Sequence, residues 1–340
     1  MVYGNELAEI AQALVVKGKG ILAADESSPT IQKRFDSIGV ESTIENRRDY
    51  REMLFKTQGS NEFISGVILY DETVRQLGSD GEPLINTLLN QGIIPGIKVD
   101  KSTKRLAGSD GEVITEGLDG LRQRLMEYRE LGAKFTKWRA VISIGDLAPT
   151  LYCIRTNAQA LARYAVLSQE AGLVPIVEPE VLMDGNHGID RCSSVTELTL
   201  REVFYELSLQ GVILEGMLLK PNMVISGESA INRASAGLVG EKTITCFKRV
   251  VPAAVPGIVF LSGGQGDDEA IDNLNAINEV ANVLGAPWEL SFSFGRGLQA
   301  LPLKAWKGET SNFAVAQRVY YDRARVTGLA RDGIYNSNRN

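Results

Sequence analysis

The chain has 340 residues, 44% of them hydrophobic and 23% charged, which is ample material for a large core and too balanced for disorder. Its net charge of −6 and the lack of a basic stripe exclude a general nucleic-acid binder, while local lysines and arginines leave room for a small anionic substrate. Apolar runs are too short, or too interrupted by Gly and Pro, to span a bilayer, and the acidic N-terminus is unlike a signal peptide, so no membrane association and a cytoplasmic location are expected.

Apolar spacing over about 5–16, with Ala8, Ile10, Ala11, Leu14 and Val15 on one side, predicts an amphipathic helix stopped by Gly18 and Gly20. Residues 21–24 read as a first strand ending in Asp25-Glu26-Ser27-Ser28-Pro29, where an acid and two hydroxyls suit either a helix cap or chemistry. Helical signals follow over about 30–37 and 44–57, then a second strand over 63–70 and a third over about 93–99 that carries Lys98. A helix over about 118–131 leads to a fourth strand, about 133–143, in which Lys137 and Arg139 alternate onto one side. Residues 151–172 are helical, 173–182 form a fifth strand with Glu178 and Glu180 on a shared face, and 193–209 form another helix. A sixth strand, 211–219, is broken in composition only by Glu215 and Gly216 and stops at Lys220-Pro221. A shorter helix over 243–251 precedes a seventh strand, 257–261, which runs into Ser262-Gly263-Gly264-Gln265-Gly266. A helix over 267–284, an eighth strand over 288–294 ending at Gly295-Arg296-Gly297, and a last helix over 311–330 complete the series. The similar turns Gly78-Ser79-Asp80-Gly81 and Gly108-Ser109-Asp110-Gly111 are too short to signal a duplication.

Eight strands separated by helix-sized segments close either into a barrel or into an open doubly wound sheet. An open dinucleotide-binding sheet would place GxGxxG after the first strand, and none is there. Charged and hydroxyl residues instead recur where one apolar run after another ends. A (β/α)8 TIM barrel gathers strand ends on one face, so the expectation is a single barrel domain over 1–340 with a short polar C-terminal tail at about 331–340. Three cysteines, Cys153, Cys192 and Cys246, are odd in number and widely spaced, which offers buried thiols in place of a disulfide framework or CxxC site. The single histidine, His187, lies in a turn-like run and is expected to be structural or solvent-facing. One histidine removes zinc sites built on two or three, so no metal and no cofactor is expected.

Lys220 is the residue around which the chain is organised. Burial at a strand end disfavours an ammonium, and a neutral amine is a nucleophile toward carbonyls. The glycines after the seventh strand expose backbone N–H groups that can close on an anion, and Arg296, after the eighth, can fork onto the same oxygens. Lys98, Arg139 and Ser27 could hold a second phosphate across the mouth. A lysine nucleophile, three carboxylates and cations at two ends suit an anionic sugar phosphate.

Seven stretches in order then become recognisable: Gly18-Lys19-Gly20-Ile21-Leu22-Ala23-Ala24-Asp25-Glu26-Ser27, Gly96-Ile97-Lys98-Val99-Asp100-Lys101, Lys137-Trp138-Arg139, Val177-Glu178-Pro179-Glu180, Leu219-Lys220-Pro221-Asn222-Met223, Leu261-Ser262-Gly263-Gly264-Gln265 and Ser293-Phe294-Gly295-Arg296. Together they closely resemble the class I, Schiff-base fructose-1,6-bisphosphate aldolases, from about residue 4 to about 335. That resemblance implies Lys220 as the Schiff-base lysine, Glu178 as the acid and base of carbinolamine chemistry with Lys137 beside it as a positive charge, Asp25 as the group acting on the C4 hydroxyl, and Glu180 as an orienting residue. It implies the C1 phosphate on Ser262, Gly263, Gly295 and Arg296, the C6 phosphate near Ser27, Lys98 and Arg139, and Arg34 at the substrate mouth. A cytoplasmic enzyme of glycolysis and gluconeogenesis, commonly a homotetramer, follows from the same resemblance, with preference between fructose 1,6-bisphosphate and sedoheptulose 1,7-bisphosphate left open.

The sequence departs from the family at Ser28-Pro29-Thr30, where animal members carry a small, glycine-containing turn and where Thr30 could supply a hydroxyl to the C6 phosphate. Many members also continue past the equivalent of residue 335 to a terminal tyrosine that visits the site, whereas this sequence stops at Asn340. Tyr335 is expected to pack against the body near the last helix. Three competing readings are a catalytically idle sugar-phosphate-binding or scaffold barrel, a metal-dependent aldolase and a transaldolase-like transferase. A scaffold has no use for a buried lysine beside two acids, a metal enzyme lacks its usual ligands here, and paired phosphate sites argue against the transferase.

Overall fold

The structure, a computed structural model, describes residues 3–336. Its strands are β1 (Gly20–Ala24), β2 (Ile64–Leu69), β3 (Ile94–Lys98), β4 (Thr103–Arg105), β5 (Val113–Thr115), β6 (Phe135–Ile142), β7 (Val174–Val181), β8 (Leu218–Leu219), β9 (Gly257–Phe260) and β10 (Glu289–Phe294). All except β4 and β5 pair in parallel around a closed ring, and β10 returns to β1 with Ile21 opposite Ser293 and Leu22 opposite Phe294. This is the (β/α)8 barrel expected from the sequence, with helices carrying the chain from each barrel strand to the next.

Side chains alternate along each strand, and the register makes the alternation agree from strand to strand. Lys98 lies opposite Lys137, Lys137 opposite Ile176, and Ile176 opposite Leu218. Low in the barrel the inward row is apolar: Ile21, Ala23, Ile68, Phe135, Ile176, Leu218 and Val259 form one cluster with Leu7, Ala11 and Leu14 of the helix Gly4–Leu14, which closes the bottom. Full burial of each large apolar side chain stabilises by about 1.5–3 kcal/mol. Two positions on the next residues of the same parity, Asp25 and Lys220, are no longer apolar. Gly96 is required beside the Phe135 ring, since a Cβ there would lie 2.3 Å from it.

The other side of each strand meets the helices. Trp138 stacks on Tyr164 at 5.5 Å between centroids, and Tyr164 shares a 2.9 Å hydrogen bond with Thr136, which holds β6 against the helix Leu151–Glu170.

Three local expectations are corrected. The stretch expected as a strand over 211–219 is a strand only at Leu218–Leu219, preceded by a 3-10 turn at Leu214–Gly216. The reason is Gln169, whose side chain accepts from the Ile213 N–H at 2.9 Å and donates to the Ile213 and Gly216 carbonyls at 2.7 and 3.1 Å, taking the place of a sheet neighbour. The helix expected over 243–251 begins seven residues earlier, as Ala236–Val250, its first turns hidden by Gly237 and Gly240. An unexpected helix, Arg296–Trp306, follows β10 although it contains Gly297 and Pro302. Around the Gly108-Ser109-Asp110-Gly111 turn, β4 and β5 form an antiparallel hairpin at the barrel mouth.

Candidate active site

The barrel strands end around a cavity of about 500 Å³, the size of pocket that holds a small ligand. Lys220, Glu178, Asp25, Lys137 and Glu180 all line it, together with Ser27, Arg34, Lys98, Arg139, Ser262, Gly263, Gly295 and Arg296. Every candidate residue from the sequence therefore reaches one space.

At its centre Lys220 Nζ lies 3.3 Å from Glu178 Oε1, and the other Glu178 oxygen lies 3.3 Å from Lys137 Nζ. Lys137 is in turn 2.7 Å from Asp25 Oδ2. The Lys220 backbone N–H donates to the Val177 carbonyl at 2.8 Å, so the lysine is fixed by the β7 ladder although β8 has ended. Lys220, Lys137 and Glu178 are all buried. Burial pushes the Asp25 carboxyl up, but Lys137 and then Lys220 outweigh it and hold the group at about 2. For Lys137 the balance is the mirror image: burial lowers its pKa, and Asp25, Glu178 and Asp100 raise it beyond the ordinary lysine value. The arrangement is a row of alternating charges ending in the Lys220 amine.

Toward the mouth, three cations each rest on a carboxylate. Arg34 donates to Glu26, Lys98 Nζ lies 2.7 Å from Asp100 Oδ1, and Arg139 donates to Glu180. Glu26 is itself buried and accepts from the Gln299 amide at 2.8 Å, and Tyr50 donates to Gln299 Oε1 at 3.2 Å. Arg34 Nη2 comes within 3.5 Å of where a Cβ on Gly295 would sit, so it belongs to the β1–β10 side of the mouth. Ser27 occupies the N-cap position of the helix Ser28–Asp36 without a side-chain capping bond, and its hydroxyl instead shares a 3.1 Å hydrogen bond with that of Thr30, which also lines the cavity. Arg296 donates to the Gln265 carbonyl at 2.8 Å, with no carboxylate within 4 Å of it among the described residues.

Sequence reasoning gave no role to Asp100, Glu26 or Ser293, which line the same cavity. Parity was the available signal for Asp100, since Gly96, Lys98 and Asp100 share one face. His187 lies apart from this cavity, half-buried beside Asp146 and Arg191, and burial followed by Arg191 lowers its pKa. The three cysteines are buried, and burial pushes the Cys192 thiol up to about 11 and the Cys246 thiol to about 12.

Residues 6–340 match the family model described as fructose-bisphosphate aldolase class-I. The chain belongs to the class-I fructose-bisphosphate aldolase family. Among relatives, a probable fructose-bisphosphate aldolase class 1 of Xanthomonas campestris is 55% identical over 97% of this chain and 98% of its own length. Fructose-bisphosphate aldolase 5, cytosolic, of Arabidopsis thaliana is 51% identical over 98% of this chain and 92% of its own. A solved structure of fructose-bisphosphate aldolase from Plasmodium falciparum, in complex with TRAP and a small-molecule inhibitor, superposes with a TM-score of 0.96 at 50% identity, covering 99% of this chain and 96% of that one. The class I family is one of lyases that work through a lysine Schiff base, and Lys220 is a buried lysine lining the cavity described above.

Proposed function

We propose that Lys220 is the Schiff-base lysine and that the surrounding residues divide the work of aldol cleavage of fructose 1,6-bisphosphate as their geometry suggests. The observation that carries this is the Lys220 nitrogen 3.3 Å from one Glu178 oxygen, with the other Glu178 oxygen on Lys137. Lys220 attacks the C2 ketone, and Glu178 carries protons to and from the carbinolamine oxygen, so that water leaves and the iminium forms. The C4 hydroxyl then gives its proton toward Asp25 while the C3–C4 bonding pair moves into the iminium. Glyceraldehyde 3-phosphate departs and an enamine remains. Protonation at C3 and hydrolysis return Lys220 and release dihydroxyacetone phosphate, and each step runs in reverse for synthesis.

Glu180 holds Arg139 at the mouth and orients the row of charges beneath it. We assign the C1 phosphate to Ser262, Gly263, Gly295 and Arg296, with Arg34 beside them, and the C6 phosphate to Ser27, Lys98 and Arg139. Arg34, Lys98 and Arg139 supply charge-assisted hydrogen bonds that their present carboxylate partners give up to the substrate, and Arg296 supplies one beside its bond to the Gln265 carbonyl. The same reading makes the protein a cytoplasmic enzyme of glycolysis and gluconeogenesis and a homotetramer; a relative named as cytosolic supports the location, and exposed Tyr205 and Leu209 on one helix offer an apolar face for self-association. Mass measurement in solution tests the oligomer.

The decisive experiment is borohydride reduction in the presence of dihydroxyacetone phosphate, followed by peptide mapping. A single adduct on Lys220 is expected. Cleavage that a chelator abolishes and zinc restores, with no adduct, would remove this reading.

A further inference from the structure

Between β9 and the helix Asp267–Leu284 lies the loop Ser262-Gly263-Gly264-Gln265-Gly266. Among the described residues, the backbone N–H groups of Ser262, Gly263 and Gly264 have no acceptor, and these three residues line the cavity. N–H groups can hold an anion only if the loop's carbonyls are turned away from it or covered by a cation, and here two carbonyls are held by arginines. Arg296 takes the Gln265 carbonyl from the cavity side at 2.8 Å. From outside, Arg233, in the segment between β8 and the helix Ala236–Val250, donates through Nη2 to the Gly264 carbonyl at 3.1 Å.

The same Arg233 nitrogen also donates to Glu269 Oε1, and Glu269 Oε2 accepts from the Gly266 N–H at 3.1 Å. Arg233 and Glu269 therefore form one clamp across the loop, gripping the carbonyl of Gly264 and the amide of Gly266. The loop needs such a clamp. Gly264 has φ +72°, and a Cβ there would lie 2.3 Å from Met183 Cβ, so glycine is obligatory at the reversal, and glycine brings backbone freedom. A loop of glycines that is to bind phosphate through its amides loses that freedom either on binding or beforehand.

We infer that Arg233 is a positioning residue for phosphate binding: with Glu269, it fixes the Ser262–Gly264 amides toward the cavity without itself touching substrate. This rests on the assignment of the C1 phosphate to that loop.

The test compares Arg233→Ala and Arg233→Lys with the unaltered enzyme in titration calorimetry with dihydroxyacetone phosphate and, separately, in borohydride trapping with phosphate-free dihydroxyacetone. Arg233→Ala is expected to bind dihydroxyacetone phosphate about tenfold more weakly, some 1.4 kcal/mol. It should raise KM for fructose 1,6-bisphosphate with little change in kcat, and trap dihydroxyacetone as fast as the unaltered enzyme. Arg233→Lys, which keeps a donor and a charge, is expected to recover most of the affinity. Unchanged phosphate binding, or equal losses for the phosphorylated and phosphate-free ligands, would overturn the inference. Failure of the unaltered enzyme to form any adduct would overturn the Schiff-base reading, and the calorimetric comparison would still decide the role of Arg233.

Discussion

Asp25 and Lys137 form the pair on which the chemistry of single residues turns. Burial is the largest influence on each and opposes its charged form, and the partner 2.7 Å away is the largest of the charges that outweigh it. Replacing Lys137 by Met leaves burial acting on Asp25 with Lys220 as the nearest remaining cation. The Asp25 carboxyl should then move up from about 2, and infrared or carbon NMR titration of that carboxyl would show it; a carboxyl still titrating at about 2 would mean that Lys137 is not what holds it. The sign of the linkage follows. A carboxyl whose folded value lies below its unfolded 3.8 adds stability that is fully present above about pH 4 and is lost as pH falls through about 2. Denaturant unfolding of the enzyme and of Asp25→Asn should therefore differ most above pH 4, and the difference should shrink by about 2 kcal/mol on acidification through that window. In the proposed mechanism the same ionised carboxylate accepts from a substrate hydroxyl, and Glu178→Gln, which keeps the shape and removes the proposed proton carrier, should lower kcat by about 10²-fold or more in a coupled cleavage assay.

At the scale of elements, strand ends and the loops beyond them decide what each residue can do. Arg296 is the first residue of the helix Arg296–Trp306, where the proposed phosphate would meet both the guanidinium and the helix's N-terminal backbone. Arg296→Ala should weaken transition-state binding by roughly 2 to 4 kcal/mol, read as kcat/KM, while thermal unfolding moves little because the guanidinium bonds a loop carbonyl and packs no core. Unchanged kinetics at low substrate would place the phosphate elsewhere. That helix also marks where the sequence stopped being legible. Gly297 and Pro302 argue against a helix locally, yet Leu298, Leu303 and Trp306 are buried and carry it by packing. The shortening of β8 was hidden for a related reason: an apolar run says only that residues are buried, and it was the Gln169 side chain, 44 residues before Ile213, that met the backbone there. By contrast β6 and β7 were readable almost to the residue. Lys137 and Arg139, or Glu178 and Glu180, can share a face only at the period of a strand.

At the scale of the whole molecule, barrel closure was legible only through chemistry. No single strand shows that β1 pairs with β10; the recurrence of functional residues at strand ends does, because one mouth must collect them. The chain's two ends are also joined. Under the barrel, the Gly18 N–H donates to Asp332 at 3.0 Å and Arg331 donates to the Val15 carbonyl at 2.9 Å and to Glu289, so the helix Phe313–Arg331 is riveted beside the start of β1. From there the backbone follows the outside of the helix Asp267–Leu284, with Gly333 against Asn278 and the Tyr335 N–H donating to Asn275 at 2.9 Å. The Tyr335 ring is partly buried against the core there, and burial followed by Asp272 raises its pKa; residues 337–340 of the expected tail lie outside the described residues. Tyr335 is not among the residues that line the cavity around Lys220, and the proposed mechanism accordingly assigns the proton for C3 to Glu178 or a water. Tyr335→Phe should accordingly change turnover by less than about threefold, and solvent-deuterium exchange into dihydroxyacetone phosphate should be equally unaffected. Turnover and exchange that both fell about a hundredfold, roughly 2.7 kcal/mol, would show that this tyrosine leaves Asn275 and reaches the site during the cycle.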